Sequence, residues 1–341
     1  MVLCYRQGCT TVLYEGKPVG TPDAGAFWRV IEEYGVKTFF TAPTAIRAIK
    51  QVDPKGEFVS KYDLKSFKSF FLAGERSDPG TLKYCEEILK NYKVPVIDHW
   101  WQTELGWPAI GNAIGLGHIP PKYGACAAPV PGFDLSIFNK DGTSTPNGTL
   151  GNLAIKLPLP PGSLIGLYNN NEKYIKDYLS PLEGYYMSGD SAIIDEEGYI
   201  HVMARTDDII NTAGHRLSTG SMEEILMDHP EIADCAVIGV NDSIKGQIPV
   251  GFVVTTSDCS MGDEELCKEL IRHVRHVLGP VASFKKVAIV KKLPKTRSGK
   301  ILRGTMAKIA NGEKWTITPT IEDSTVFESL APVIKDLVAQ K

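Results

Sequence analysis

Short apolar runs alternate with helical stretches through the first hundred residues, and this alternation limits the fold more than any other feature. Length and β-branched or aromatic content predict strands at residues 10–14, 36–40, 70–72 and 94–98. Repeated β-α-β units form a parallel sheet that binds ligands at the carboxyl ends of its strands. The sequence therefore predicts an α/β fold with a site at that edge.

Helical spacing is clear between the predicted strands. We predict a first helix with Asp23 as its N-cap, and further helices near residues 44–49 and 79–92. The polar segments 73–75 and 98–104 directly follow two strands. Both segments are therefore expected at the binding edge of the sheet.

The pattern changes after Pro129, where strand-like alternation replaces helical spacing. Apolar residues alternate over 133–137, a turn-rich stretch covers 141–148, and a return strand is predicted at 150–157. Residues 195–198 have the composition of a hairpin turn. These features predict a smaller β subdomain that follows the parallel sheet.

The last third of the chain predicts a separate α+β domain. Residues 237–240 and 250–255 resemble strands, and one helix face is indicated by Leu266, Leu270, Val274 and Val277. A boundary near Asp207 divides the chain into domains at 1–206 and 207–341. The expected architecture is a large parallel-sheet domain with a smaller α+β domain behind it.

Composition narrows the class of protein. The 341 residues have a formal net charge of -3, which gives no long-range field that attracts nucleic acid or acidic membranes. The seven cysteines form no paired short spacing, which favours a reducing compartment. We find no apolar run of the roughly 20 residues that a membrane helix needs, and no targeting segment.

A cationic loop stands out at residues 294–300, with the sequence PKTRSGK. Lys300 follows a glycine there and would suit an anionic reaction centre. The alternative interpretation is an exposed basic turn before a helix at 301–309. Two other polar segments, residues 199–216 and 98–104, accompany this loop.

Taken together and in this order, the three segments resemble the acyl-CoA synthetases of the adenylate-forming superfamily, in particular the short-chain members that activate acetate or propionate. The resemblance implies that a carboxylate attacks the α-phosphate of ATP, pyrophosphate leaves, and the thiol of CoA opens the acyl-adenylate. The implied cofactors are ATP, CoA and Mg²⁺. Short-chain carboxylates are the implied substrates, and neither nucleic acid nor a membrane is an expected partner.

Catalysis of this kind needs cations around the α-phosphate more than it needs a protein nucleophile. By resemblance, Lys300 bridges the carboxylate and the phosphate, and Arg216 binds phosphate oxygens. Thr103 would donate a hydroxyl to the phosphate, and Glu104 would bind Mg²⁺. Alone, the Thr-Glu pair also suits a helix cap.

The resemblance also implies a nucleotide site, with adenine beside residues 74–76 and the ribose hydroxyls bound by an aspartate and an arginine. In isolation, each of these motifs reads as an ordinary turn or a solvated side chain. The implied nucleotide-binding residues are Gly74, Glu75, Arg76, Asp98, His99, Trp100, Trp101, Gln102, Thr103, Asp190, Arg205 and Arg216.

Asp207 matches the family's hinge, about which a mobile C-terminal domain swings between the two half-reactions. In one orientation Lys300 would face the adenylation centre. In the other, the surface at Ala213 and Gly214 would admit pantetheine. Arg275 matches a residue that contacts a CoA phosphate in relatives, and on an amphipathic helix it could equally be solvated.

The acyl pocket is expected at Ala73 and Trp101. By resemblance, Trp101 forms its floor, and Ala73 stands where acetate-preferring relatives commonly have valine. The extra space favours propionate, with acetate or butyrate as alternatives. Leu105 and Trp107 depart from the family pattern, because relatives usually have small residues there.

The family's Ser/Thr/Gly-rich phosphate-binding loop has no counterpart in this sequence, and the segment 218–221 does not replace it. We therefore expect a C-terminal portion or short isoform of a ligase, with little ATP turnover by this chain alone. The alternatives are a non-catalytic nucleotide-binding or CoA-binding module, and an adenylating domain that loads a carrier thiol. The resemblance implies the mitochondrial matrix, with the cytosol open; the oligomeric state is not predicted.

Overall fold

The computed structural model describes residues 8–117, 119–297 and 299–339, which divide into two compact units. The first unit covers the described part of Met1–Ser188 together with Ala192–Val202, and the second covers Gly189–Ser191 with the described part of Met203–Lys341. Parallel and antiparallel sheets are combined with helices. The predicted α/β fold class is therefore confirmed. Within the described ranges no helix has the length and apolar character that crossing a membrane requires.

A three-stranded parallel sheet organises the start of the first unit. Its strands follow the order β1-β2-β3, and every pairing is parallel, as the alternation predicted. A helix connects each strand to the next, since parallel strands need a crossover connection between them. The elements are α1 (Ala26–Glu33), β1 (Thr38–Thr41), α2 (Pro43–Val52), β2 (Ser69–Leu72), α3 (Pro79–Leu89) and β3 (Val96–Asp98).

Local sequence explains where the crossover helices begin. Pro43 and Pro79 occupy the first turns of α2 and α3, where an amide donor is not needed. The Asp78 side chain caps α3 by accepting a hydrogen bond from the Thr81 amide at 2.8 Å. Trp28 of α1 packs edge-on against Phe70 of β2 in a continuous apolar core.

Two predictions for the N-terminal part were wrong. Residues 10–14 form no strand; they are exposed or half-buried and lack a ladder partner among the described residues. Asp23 is not the N-cap, because α1 begins after Gly25, and the Asp23 carboxylate accepts the Gly25 amide at 2.8 Å. Asp23 therefore shapes a turn just before the helix.

Antiparallel strands build the rest of the first unit, as predicted. One sheet has the order β4-β5-β6, and another has the order β10-β9-β8-β7, with the predicted hairpin turn at 195–198 between β9 and β10. The elements are β4 (Trp100–Trp101), β5 (Pro108–Gly111), β6 (Ala128–Pro129), β7 (Leu135–Phe138), β8 (Gly151–Lys156), α4 (Asn171–Tyr174), β9 (Tyr185–Ile194) and β10 (Ile200–Arg205).

The second unit is an α+β layer structure. Its sheet follows the order β12-β11-β14-β13, and β15 pairs with β14 in parallel. Separate apolar clusters pack on the sheet beneath its helices. The elements are β11 (Ile209–Thr212), β12 (His215–Ser218), α5 (Thr219–Met227), β13 (Ile232–Asp242), β14 (Gly246–Thr255), α6 (Asp263–Leu278), β15 (Lys286–Ile289), α7 (Arg303–Ala310) and α8 (Val326–Ala339).

Candidate active site

The segment 98–104 leaves the parallel sheet at its carboxyl edge. Asp98 is the last residue of β3, and the His99 amide donates to the Leu72 carbonyl at 3.1 Å, which ties the segment to β2. A single turn of 3₁₀-helix follows at Thr103–Leu105. The segment therefore begins where a parallel sheet is expected to bind ligands.

Asp98 faces the interior of the first unit. Its side chain accepts a hydrogen bond from the Ser77 hydroxyl at 2.8 Å, and the Cys126 thiol donates to the other oxygen at 3.9 Å. Burial raises the pKa of Asp98 to about 7, although Ser77, Arg76 and Cys126 each oppose that rise. The carboxyl is thus close to half-protonated at neutral pH and joins three segments beneath the edge.

His99 and Trp100 are also in the core. The His99 ring lies edge-on to Phe40 and Phe71, with ring centroids 5.1 and 5.5 Å apart. Burial lowers the pKa of His99 to about 4, so the ring is neutral at pH 7. Within the segment 98–104, Trp101 and Thr103 are the exposed residues.

Side-chain hydrogen bonds fix Gln102 and Glu104. The Gln102 amide donates to the Ser188 carbonyl at 2.7 Å, and the Tyr186 hydroxyl donates to Gln102 Oε1 at 3.0 Å. The Tyr178 hydroxyl donates to Glu104 Oε1 at 3.2 Å. The tyrosines lie more than seventy positions along the chain, and nothing in the local sequence indicated these contacts.

Glu104 is the residue that the sequence assigned to Mg²⁺. Among the residues that the structure describes, no group of three or more His, Cys, Asp or Glu side chains could hold a metal ion. One carboxylate with phosphate and water oxygens nevertheless suits Mg²⁺, which keeps several waters and is bound by few protein ligands. The half-buried Glu104 fits such a site when a nucleotide supplies the phosphates.

The segment 73–76 follows β2 at the same edge. Gly74 has φ +103, a conformation that side chains rarely adopt, and a Cβ there would meet no atom within 4 Å. The Glu75 carboxylate accepts a hydrogen bond from Arg47 at 2.7 Å and another from the Thr44 hydroxyl. A helix of the first unit therefore holds Glu75, and the backbone beside Gly74 is open.

The predicted acyl-pocket residues differ in exposure. Ala73 is buried, whereas the Trp101 side chain is 38% exposed and lies edge-on to Phe40, with centroids 6.4 Å apart. Leu105 is 1% exposed and belongs to an apolar core, so its large side chain fills the interior. Trp107 is exposed.

Gly189, Asp190 and Arg205 form a compact group in the second unit. Arg205 Nη1 lies 3.8 Å from Asp190 Oδ1, and Asp190 is buried. Gly189 has φ +72, and a Cβ there would lie 2.7 Å from the guanidinium of Arg205. Thr206 donates its hydroxyl to the Gly189 carbonyl at 3.1 Å. The positive φ is what requires glycine here, because the far end of the flexible Arg205 side chain could move away from a Cβ.

A tight hairpin presents Ala213 and Gly214. Both have positive φ, 48° and 86°, as type I′ turns require, and the Ala213 amide donates to the Lys245 carbonyl at 2.8 Å. Arg216 stands opposite Asn211 in the ladder. The turn is exposed and has no large side chain at its tip.

The hinge and CoA predictions fall on two further elements of the second unit. Asp207 belongs to a 3₁₀ turn, Thr206–Asp208, between β10 and β11, and its side chain lies outside what the structure describes. Arg275 is exposed in the last turn of α6. The structure therefore gives neither residue a contact that would test its predicted role.

Lys300 sits at the end of a backbone-locked turn. The Thr296 amide donates to the Lys300 carbonyl at 2.8 Å, and the Lys300 amide donates to the Thr296 hydroxyl at 3.1 Å. Gly299 has φ +87 and donates its amide to the Thr296 carbonyl at 2.8 Å. The Lys300 side chain is exposed. Ser298 of the predicted loop lies outside the described residues.

The base of this turn is fixed as well. Lys295 forms an ion pair with Asp234 at 2.5 Å, and the Leu302 amide donates to the Pro294 carbonyl at 2.9 Å. The Arg297 amide donates to Thr320 at 2.9 Å. Backbone hydrogen bonds therefore hold the turn, and the Lys300 side chain is exposed on it. A reaction-centre lysine and an exposed basic turn before a helix both stay predictions.

Comparison with known proteins identifies the family. Residues 1–160 match the AMP-binding enzyme family model, and residues 221–300 match the AMP-binding enzyme C-terminal domain. The chain is 47% identical over 340 residues to the mitochondrial acyl-CoA synthetase short-chain family member 3 of Mus musculus, covering 98% of this chain and 49% of that relative. It is 40% identical over 333 residues to the acetyl-coenzyme A synthetase of Pyrobaculum aerophilum, with coverage of 98% and 49%.

Solved structures agree with these matches. The anthranilate CoA ligase AuaEII in complex with anthranoyl-AMP has a TM-score of 0.75 and 25% identity, over 89% of this chain and 55% of that one. The chain spans about half the length of the curated relatives it matches. It belongs to the adenylate-forming AMP-binding enzyme family, in the branch of the short-chain acyl-CoA synthetases.

Proposed function

We propose that this chain serves the ATP-dependent ligation of a short-chain carboxylate to CoA through an acyl-adenylate. The observation that carries the proposal is the exposed Lys300 on a turn whose backbone is bonded at both ends. A fixed turn that exposes a long cationic side chain suits a reaction in which two anions must meet. Family membership supports the same reaction class.

The chemical argument assigns the cations first. The carboxylate and the α-phosphate repel each other, so the barrier falls when positive charge neutralises the group being formed. We assign the point charge to Lys300 and the planar, bidentate contact with phosphate oxygens to Arg216. Mg²⁺, held by Glu104 and phosphate oxygens, would neutralise the pyrophosphate that leaves. Thr103 is exposed and can donate its hydroxyl to the phosphate.

Nucleoside recognition is assigned to the fixed groups of each unit. The buried carboxylate of Asp190, with Arg205 beside it, suits the vicinal hydroxyls of a ribose. The open backbone at Gly74 admits a flat base. Asp98, His99 and Trp100 are buried, so we assign them to supporting this edge and leave contact with the nucleotide to Trp101, Gln102 and Thr103.

The CoA step is assigned to the second unit. The small residues Ala213 and Gly214 would let pantetheine pass, and the exposed Arg275 would meet a CoA phosphate. We propose Asp207 as the pivot between half-reactions, and hence a domain boundary at 206/207. The contact-based division falls between Val202 and Met203.

We propose propionate as the favoured acid. A valine at Ala73 would fill space that alanine leaves, and one more methylene in that space is worth about 1 kcal/mol of burial. Compartment follows the relatives, several of which are named as mitochondrial, so the mitochondrial matrix is the proposed site of action.

The second candidate function is a nucleotide-binding or CoA-binding module without turnover. The group formed by Asp190 and Arg205 favours it, because binding a ribose needs these side chains and no catalytic residue. Loading of a carrier thiol is the third candidate, and similarity to CoA-dependent relatives weighs against it.

Propionate-dependent exchange of pyrophosphate into ATP separates these functions. We would assay the 341-residue chain alone and fused behind the N-terminal half of the mouse relative. Exchange by the fusion but not by the chain alone is the expected result. Robust exchange by the chain alone would remove the need for a further segment, and no exchange by a folded fusion that binds AMP would favour the binding module.

A further inference from the structure

Two stacked tyrosines lie against the Gln102–Glu104 segment in the first unit. The Tyr178 and Tyr186 rings are nearly parallel, with centroids 5.4 Å apart and planes inclined by 9°. Tyr186 is fully buried, and Tyr178 is half-buried in a π-helical turn, Ile175–Leu179. Stacking of this kind fixes both phenol groups in direction.

Each tyrosine donates to one member of the segment. Tyr178 reaches Glu104 Oε1 at 3.2 Å, and Tyr186 reaches Gln102 Oε1 at 3.0 Å. Gln102 then donates onward to the Ser188 carbonyl at 2.7 Å. The residues on either side of the exposed Thr103 therefore each accept a hydrogen bond from a phenol.

The backbone around Glu104 is held from the same side. The Leu164 amide donates to the Glu104 carbonyl at 2.6 Å, and the Tyr174 hydroxyl donates to the Leu164 carbonyl at 3.2 Å. A Cβ on Gly106 would lie 2.7 Å from the Gly162 carbonyl, so the two chain segments approach closely. The carboxylate is thus fixed through both its main chain and its side chain.

The phenol stays a donor at physiological pH. A tyrosine phenol ordinarily ionises only at about pH 10, so it carries its proton at pH 7. A protonated phenol donates one strong hydrogen bond to a carboxylate. Because that bond engages Oε1, it orients the second oxygen without neutralising the charge.

We propose that Tyr178 is a positioning residue, which holds the Glu104 carboxylate in the orientation needed to bind a phosphate-bound divalent cation, while Tyr186 holds Gln102. The inference rests on the proposed function, because the cation belongs to the ATP that the site would bind. Tyr178 itself touches neither cation nor nucleotide in this proposal.

Amide hydrogen exchange of the 341-residue chain tests the positioning without nucleotide. Tyr178→Phe keeps the stacked ring and removes the donor, so the amides of Leu105 and Gly106 should exchange about tenfold faster, the usual effect of losing a hydrogen bond to a charged group. Tyr168→Phe removes a hydroxyl from an exposed tyrosine of the same unit and should leave both amides unchanged. Equal exchange in all three proteins would overturn the proposal.

Binding of Mn²⁺·ATP, followed by the paramagnetic resonance of Mn²⁺, tests the consequence. We expect Tyr178→Phe to weaken Mn²⁺·ATP binding by about tenfold and to leave metal-free AMP binding unchanged. Faster exchange without weaker Mn²⁺·ATP binding would refute the role toward the cation. If neither the wild-type chain nor its fusion bound Mn²⁺·ATP, the proposed function would fail, and hydrogen exchange would still decide whether Tyr178 positions Glu104.

A second variant covers the case in which Tyr178→Phe does not fold. Glu104→Leu removes the acceptor for the phenol, so the amides of Leu105 and Gly106 should exchange faster, whereas Glu104→Gln keeps an acceptor and should leave them near the wild-type rate. Unchanged exchange in Glu104→Leu would show that the phenol and the carboxylate do not interact, and the proposal would be wrong.

Discussion

The two candidate regions are held in place by different kinds of bond. In the first unit, side-chain hydrogen bonds from Tyr178 and Tyr186 fix Glu104 and Gln102, so the functional atoms themselves are immobilised. In the second unit, backbone bonds fix the turn that ends at Lys300, and the side chain extends into solvent. The two regions therefore differ in what is fixed: side-chain atoms in the first, and only the backbone that carries the side chain in the second.

The largest expected effect concerns the second region. Lys300→Ala removes the cation from an intact turn, so propionate-dependent pyrophosphate exchange by the fusion should fall by about 1000-fold, as when an electrostatic stabiliser of a transition state is lost. Unfolding temperature should not change, because the side chain is exposed. Lys291→Ala, at another exposed lysine of the same unit, is the matched control and should retain exchange.

The next effect concerns the first region and its buried carboxyl. The pKa of Asp98 is about 7 in the folded chain, against an ordinary value of 3.8 for an aspartate exposed to water in the unfolded chain. Protonation of this carboxyl therefore favours folding. Its contribution is complete below pH 4 and is lost as pH rises through 7. Asp98→Asn should abolish this dependence, which amounts to about 4 kcal/mol for a shift of this size. Urea unfolding of both proteins from pH 4 to 8 measures it.

His99 also changes the pH dependence of stability, so the effect of Asp98 must be measured as the difference between the wild-type protein and Asp98→Asn. The pKa of His99 is lowered from 6.5 to about 4, so its contribution is present above pH 6.5 and is lost as pH falls through 4. The two neighbours therefore oppose each other in wild-type protein. A variant whose stability kept the wild-type pH dependence would show that Asp98 is not buried as described.

A smaller effect is expected at the proposed ribose contact. Asp190→Asn leaves a buried polar group but removes its charge, and AMP should bind about tenfold more weakly, the effect of losing a charged hydrogen-bond acceptor. Calorimetry with AMP measures it on the chain alone. Asp141→Asn changes an exposed turn carboxylate and serves as the control. Equal AMP affinity in all three proteins would exclude Asp190 from the nucleotide site.

The smallest effect sharpens the substrate assignment. Ala73→Val should shift the ratio of kcat/KM values for propionate and acetate about fourfold toward acetate, since one buried methylene is worth about 0.8 kcal/mol. Trp107→Phe, at an exposed aromatic, should not change the ratio. A ratio that moved toward propionate in Ala73→Val would place the acyl pocket elsewhere.

The sequence predicted helices and strands well where the apolar periodicity agreed with residues, such as proline, that mark the start of an element. The structure contains the helices predicted near residues 44–49 and 79–92, which begin at Pro43 and Pro79, and the parallel sheet followed from the alternation. Residues 10–14 had strand composition yet form none, because β-propensity acts only when a pleated neighbour is available. Asp23 likewise has the composition of an N-cap, but its carboxylate accepts the Gly25 amide in a turn before the helix.

The structure confirms where the sequence placed one candidate segment and adds surroundings that the sequence did not indicate. The position of the 98–104 segment at a strand end followed from topology. The burial of Asp98 and His99, and the phenol bonds to Gln102 and Glu104, depend on partners far along the chain. Such contacts leave no local pattern, since they arise only when separate segments pack together.

The proposed role of Lys300 in adenylation is tested most directly by measuring the two half-reactions of the Lys300→Ala fusion. Propionyl-adenylate formation and propionyl-CoA formation from supplied propionyl-adenylate and CoA would be measured side by side. The account predicts that the first falls by about 1000-fold while the second keeps most of its rate. Equal loss of both, in a folded protein, would contradict the assignment of Lys300 to adenylation.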